Sequence, residues 1–211
     1  MTFTILFVGS GNVGRSVLAA DLVVRELHRI WPRSADEVVA LSAGVDAIDG
    51  MPLAPHLETV ARRRGLDLGD HRATPMSRSL AERADLVLTM TRKQRAQIVL
   101  QYPALRARTF ALLEFLALLG NATEVRRRQP IGRGERLEAR LRLVVTAVAA
   151  RQRALPAPAD ERQWDLFDPY AYSLDIYETV AATIEGAAHA LVADIAVLTG
   201  TRGSSSASRT A

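Results

Sequence analysis

The chain has 211 residues, 48% hydrophobic and 24% charged, which fits one globular domain and excludes a disordered chain. It contains no cysteine, so disulfides, cysteine-ligated zinc and all thiol chemistry are excluded. The net charge is +4 and Lys93 is the only lysine among 27 basic residues, a balance that permits an acidic partner without requiring one.

Phe3 to Val8 is apolar apart from Thr4 and reads as a strand buried on both faces, the kind found in parallel sheets. Gly9 to Arg15 holds three glycines and reads as a tight loop, and Ser16 opens a helix running to about Ile30. Val38 to Ser42 is a second strand, and Pro55 to Arg64 a helix that stops at Gly65. Ala84 to Met90 is a third strand, Arg92 to Leu100 a helix ended by Pro103, and Thr109 to Glu114 a fourth strand. Ser173 to Leu198 carries Ile176, Val180, Ile184, Ala188, Leu191 and Ile195 at helical spacing.

Strands that alternate with helices predict an α/β fold in three layers. A four-stranded parallel sheet has helices on both faces and a phosphate loop after its first strand. The expected organisation is a single domain over residues 1–199 with an Arg-rich helical insertion at about 120–163. That insertion includes Arg126 to Arg128 and a helix from Glu135 to Arg153, read as a solvated surface pair. Residues 200–211, rich in Gly, Ser, Thr and Ala, are expected to be disordered. No apolar run is read as approaching the roughly 18 residues of a membrane span. No basic and apolar leader is read before the first strand, so the expectation is a cytoplasmic chain with no membrane partner.

The stretch Gly9, Ser10, Gly11, Asn12, Val13, Gly14, Arg15, Ser16 carries the chemistry. A glycine-rich turn between a buried strand and a helix lets backbone N–H groups point inward at an anion, and the helix N-terminus adds partial positive charge. Arg15 can place a bidentate guanidinium on two phosphate oxygens, and Asn12 and Ser16 can hold the loop by hydrogen bonds. The dinucleotide reading of the glycines is set aside because Arg15 follows Gly14 at once. The nucleotide-triphosphate loop is excluded because no Gly-Lys-Ser/Thr follows.

These residues resemble the low-molecular-weight protein tyrosine phosphatases, whose loop reads Cys-x-x-Gly-Asn-x-Cys-Arg-Ser between a strand and a helix. Gly11, Asn12, Arg15 and Ser16 match that loop, and Ser42-Ala43-Gly44, His71-Arg72-Ala73, Ala84 to Thr91 and Asp168-Pro169-Tyr170 match further segments in order. The resemblance covers residues 3–115 and 165–198. It implies phosphate binding by residues 9–16, with Arg15 and Asp168 as catalytic groups and Tyr170 and Tyr172 as walls of the substrate site. No cofactor and no metal are expected.

The pattern breaks at the nucleophile. The first cysteine of the resembled loop attacks phosphorus as a thiolate. Gly9 stands at that position here, and Gly14 at the second cysteine. Ser10 is the nearest hydroxyl but lies one residue out of register and lacks a neighbouring base. No aromatic residue follows Ser-Ala-Gly, where Val45, Asp46 and Ala47 stand instead.

The leading expectation is a catalytically dead or impaired pseudophosphatase that binds phosphate or a phosphorylated protein. An active phosphomonoesterase using another nucleophile or water is the alternative. A third reading, nucleic-acid binding through Arg126 to Arg142, lacks a helix-turn-helix or an aromatic platform. Arsenate reduction needs thiols that are absent. His28, His56, His71 and His189 show no metal-ligand spacing.

Overall fold

The computed structural model describes residues 2–120, 136–152 and 160–199. Its centre is a four-stranded parallel sheet in the order β2-β1-β3-β4, with β1 Phe3–Gly9, β2 Val38–Gly44, β3 Leu86–Thr89 and β4 Thr109–Ala111. Ile5 stands opposite Ala40 of β2 and Leu86 of β3, so β1 is a central strand and every one of its residues is buried.

Successive side chains leave a strand on opposite faces, which explains why β1 is apolar throughout. Phe3, Ile5 and Phe7 join Leu86, Leu88 and Phe110 in the larger core. That core is covered by α1 (Arg15–Ile30), α2 (Pro55–Arg63), α5 (Leu112–Leu119), α6 (Leu137–Gln152) and α7 (Leu174–Thr199). Leu6 and Val8 join Val87 in the smaller core under α3 (Arg78–Arg83), α4 (Arg92–Gln101) and a 3-10 turn over Pro103–Arg108.

Three expectations are corrected. The fourth strand ends at Ala111, and Leu112 to Leu119 is a helix. The buried Glu114 carboxylate turns back to accept from the Ala111 N–H at 3.1 Å, a cap that starts a helix where an apolar run suggested strand. The short helix α3 was not expected. Its six residues show too little periodicity, although Ser77 Oγ caps it by accepting from Leu80 N at 3.3 Å.

The helix placed in a solvated insertion is instead a core helix. Leu137, Leu141, Val144, Val145 and Val148 of α6 are buried, at spacings that put them on one face against α5 and α7. Its arginines are anchored at home. Arg142 pairs with Asp85, which also accepts from Thr4 N at 2.9 Å, and Arg140 Nη1 donates to the Thr199 carbonyl at 2.7 Å. Arg126 to Arg128 and the tail from 200 lie outside the described residues.

The apolar reading of α7 is also corrected. It spans 26 residues and is long and apolar enough to cross a membrane by composition. It packs against α1, α2, α5 and α6, and half of its most apolar window is buried in the fold, so it serves as a core helix here.

The C-terminal ends of β1 and β2 set the position of the loop that follows β1. Gly9 pairs with Gly44, and the loop then crosses directly over Gly44. A Cβ on Gly44 would lie 2.3 Å from Ser10 O and 2.9 Å from Asn12 N, both of them backbone. Only glycine admits this approach.

Leu141→Ala should lower unfolding free energy by about 2–4 kcal/mol in urea titration, whereas a solvated surface helix would lose less than about 0.5. Gly44→Ala should leave the secondary structure by circular dichroism near wild type while displacing the loop, measured as a phosphate affinity at least about tenfold weaker.

Candidate functional site

The loop from Gly9 to Ser16 is shaped from outside. Gly9 O accepts from Val45 N at 3.0 Å, Ser10 O from Asp46 N at 3.0 Å and Val13 O from Ala54 N at 3.0 Å. Asn12 O sits 2.8 Å from His71 Nε2, which carries the hydrogen because a carbonyl only accepts. Four carbonyls are thus drawn outward. Among the described residues, the N–H groups of Gly11 to Ser16 donate to no backbone or side-chain partner, and they border the cavity with the rest of the loop.

Asn12 holds the bend. Its φ is +54°, a left-handed conformation that asparagine tolerates better than most residues. Its Oδ1 accepts from Thr74 N at 2.8 Å and its Nδ2 donates to Ser16 Oγ at 3.2 Å. Helix α1 starts with no side-chain cap and no acidic residue in its first turn, leaving its dipole free for an anion.

Arg15 is the first residue of α1 and only 7% exposed. Nη1 donates to the Leu166 carbonyl at 2.6 Å and Nη2 to Asp168 Oδ2 at 2.5 Å. Burial lowers its pKa, while Asp168 and then Asp165 pull it back up, and a guanidinium stays charged at neutral pH. The segment carrying Asp168 is itself pinned, because Leu166 N donates to the Met90 carbonyl at 2.9 Å and Asp165 Oδ1 accepts from Arg92 N at 2.7 Å. Asp168 Oδ1 accepts from Tyr170 N at 3.2 Å, and Ala171 then turns the chain with φ +67°.

Loop, Arg15 and Asp168 border one cavity of about 350 Å³. Every residue from Gly9 to Ser16 lines it. Of the two expected wall residues, Tyr170 lines the cavity and Tyr172 does not; its ring packs edge-on against Phe167, 5.2 Å between centroids.

At Gly9, a Cβ would meet Ser16 Oγ at 3.0 Å, Ser16 Cβ at 3.4 Å and Met90 Cγ at 3.9 Å, so a Cβ there requires Ser16 to give by a few tenths of an ångström. Ser10 Oγ accepts from Gln94 Nε2 at 3.0 Å.

Several lining residues escaped the sequence reading. Ile48 and Met51 come from the segment after β2 and reach the cavity through tertiary folding. Tyr177, 5% exposed, comes from the first turns of α7; burial, then the nearby Asp168 carboxylate, raise its pKa. Gln94, which does not line the cavity but donates to Ser10 Oγ, was legible only as the third residue after the cap Thr91. Among the described residues, no group of three or more His, Asp or Glu side chains could hold a metal ion.

The family model for low molecular weight phosphotyrosine protein phosphatase matches residues 4–157. The probable low molecular weight protein-tyrosine-phosphatase EpsP of Ralstonia nicotianae is 36% identical over 114 residues, 54% of this chain and 73% of that one. A protein-arginine-phosphatase of Geobacillus stearothermophilus is 31% identical over 117 residues, covering 56% of this chain and 74% of its own. The YwlE arginine phosphatase structure from that organism superposes with a TM-score of 0.64 at 22% identity, over 92% of this chain and 94% of that one. The tyrosine phosphatase Wzb from Escherichia coli K30 in complex with sulphate superposes with a TM-score of 0.61 at 22% identity, over 92% and 99%. With a sheet of the same architecture and a family model that spans most of its length, this chain belongs to the low molecular weight phosphotyrosine protein phosphatase family.

Proposed function

We propose that this protein is a pseudophosphatase of its family, a module that binds phosphate or a phosphorylated protein without hydrolysing it through a thiol. The observation that supports this reading is the pairing of a loop whose carbonyls are bonded outward and whose N–H groups take no partner among the described residues with the absence of any cysteine in the 211 residues. Hydrolysis through a phosphoenzyme needs an atom that attacks phosphorus from beneath the loop. Gly9 offers none at the end of β1, and Ser10 Oγ is held by the Gln94 amide, which takes up no proton and so cannot activate the hydroxyl.

Binding needs less. The amides of the loop, the α1 dipole and the Arg15 guanidinium supply favourable charge for an oxyanion, and no thiolate opposes it. The sulphate held by the E. coli Wzb relative is consistent with such a use of the fold. The relatives are named for both tyrosine and arginine phosphatase activity, so the group that carries the phosphate is a separate question.

Wild-type protein should turn over para-nitrophenyl phosphate no faster than buffer, while Gly9→Cys gains at least about 1,000-fold over wild type. Wild-type turnover that scales with enzyme and disappears in Ser10→Ala would replace this reading with that of an active phosphomonoesterase. By calorimetry, inorganic phosphate should bind the wild type with a Kd of about 1 mM or tighter, and Arg15→Ala should weaken it by at least about tenfold.

A further inference from the structure

A second cavity lies at the end of the sheet away from the 9–16 loop. Asp85 stands just before β3 and Arg108 just before β4, so both sit at the starts of parallel strands, whereas the loop leaves the end of β1. With the 3-10 turn over Pro103–Arg108 and one side of α6 they border a space of about 590 Å³.

Two of its three charges are spent on each other. Asp85 accepts from Thr4 N at 2.9 Å through Oδ2 and pairs with Arg142 through Oδ1. Arg142 also lies over the Phe3 ring, 5.9 Å from its centroid. Arg108 is left over. The residue is half-buried, its Nε is shut off from solvent with no hydrogen-bond partner, and among the described residues no carboxylate pairs with it. A buried donor without an acceptor is costly, and most buried donors have one. Two arginines against one aspartate leave one positive charge unmatched, on a guanidinium whose Nε edge fits two oxygens borne on a single atom.

The rest of the wall is small. Ala104 and Ala107 from the turn, with Val145, Ala149 and Ala150 from α6, leave both room and contact for a compact hydrophobic body. Thr146 Oγ1 already gives its hydrogen to the Arg142 carbonyl at 2.9 Å, so Arg108 is the donor that an anion meets. A dianion would bring a second charge against the Asp85 carboxylate, whereas one negative charge balances the surplus.

We propose that this cavity is a second ligand site, which binds a monocarboxylate on a compact apolar body, with the Nε edge of Arg108 on its two oxygens and the alanines against the body. The site is separate from the 9–16 loop and does not rest on the phosphate-binding reading.

Proton–nitrogen NMR spectra of the full chain, titrated with benzoate, decide it. The amides of Ala104, Ala107, Ala149 and Ala150 should shift saturably, with a Kd of about 1 mM or tighter. Arg108→Gln should weaken this binding at least about tenfold, and Arg108→Lys, which keeps the charge and loses the two-donor edge, at least about threefold. Arg15→Ala should leave it unchanged. Benzyl alcohol, which lacks the charge, and phenyl phosphate, which carries a second one, should each bind at these amides at least about fivefold more weakly than benzoate. Absence of saturable shifts overturns the proposal, as does benzoate binding that survives either Arg108 substitution. Benzyl alcohol or phenyl phosphate binding there as tightly as benzoate overturns it too, as do benzoate shifts confined to residues 9–16 and lost in Arg15→Ala. Inorganic phosphate at the loop is followed in the same spectra, so failure of either site is seen apart from the other.

Discussion

Hydrogen bonds that pull the carbonyls of one short loop outward hold the rest of the site in place. A loop of small residues has no core of its own, and its amides would turn at random if its oxygens were free. Val45 with Asp46, Ala54 and His71 supply four donors from three stretches of chain, and Gly44 lets the backbone lie close enough for those donors to reach. The parallel sheet is what delivers these stretches to one edge, because β1, β2 and β3 all end there. The shape of the loop is thus a property of the sheet's register more than of any one side chain.

Arg15 imposes the second constraint. A guanidinium buried this deeply is tolerated only where its donors are matched. One match is a carbonyl and the other a carboxylate, and both come from residues about 150 positions further along the chain. The bond from Leu166 N to the Met90 carbonyl fastens that distant segment to the end of β3. Tyr177 of α7, the helix that follows this segment, also lines the cavity. Charge and topology cooperate here, since the segment that leads into the long core helix carries the carboxylate that the arginine needs.

Much of this was legible in the amino-acid order. The seven-residue apolar strand, the glycine loop and the Asp-Pro segment are local signals, and each marks an element or a turn by its own chemistry. The failures have local causes as well. Thr109 to Glu114 looked like a strand because its apolar residues are short in number, and only the buried carboxylate of Glu114 reveals the helix start. Arginines on α6 disguised a core helix, because the eye reads charge as exposure while Leu141, Val144 and Val148 carry the buried face. Tyr172 was drawn to the cavity by its neighbour Tyr170, yet a left-handed Ala171 between them sends the two rings apart. Residues such as Asp46 and Met51 reach the site through tertiary folding alone.

Gly9 takes part in the loop only through its backbone, pairing with Gly44 and offering its oxygen to Val45. Scaffold integrity and reactivity are consequently written at separate atoms of the same residue. A side chain can be lost or gained at this position while both backbone bonds stay, provided Ser16 gives by a few tenths of an ångström. The end of a buried strand can in this way change its side chain without any rebuilding of the backbone that leaves it.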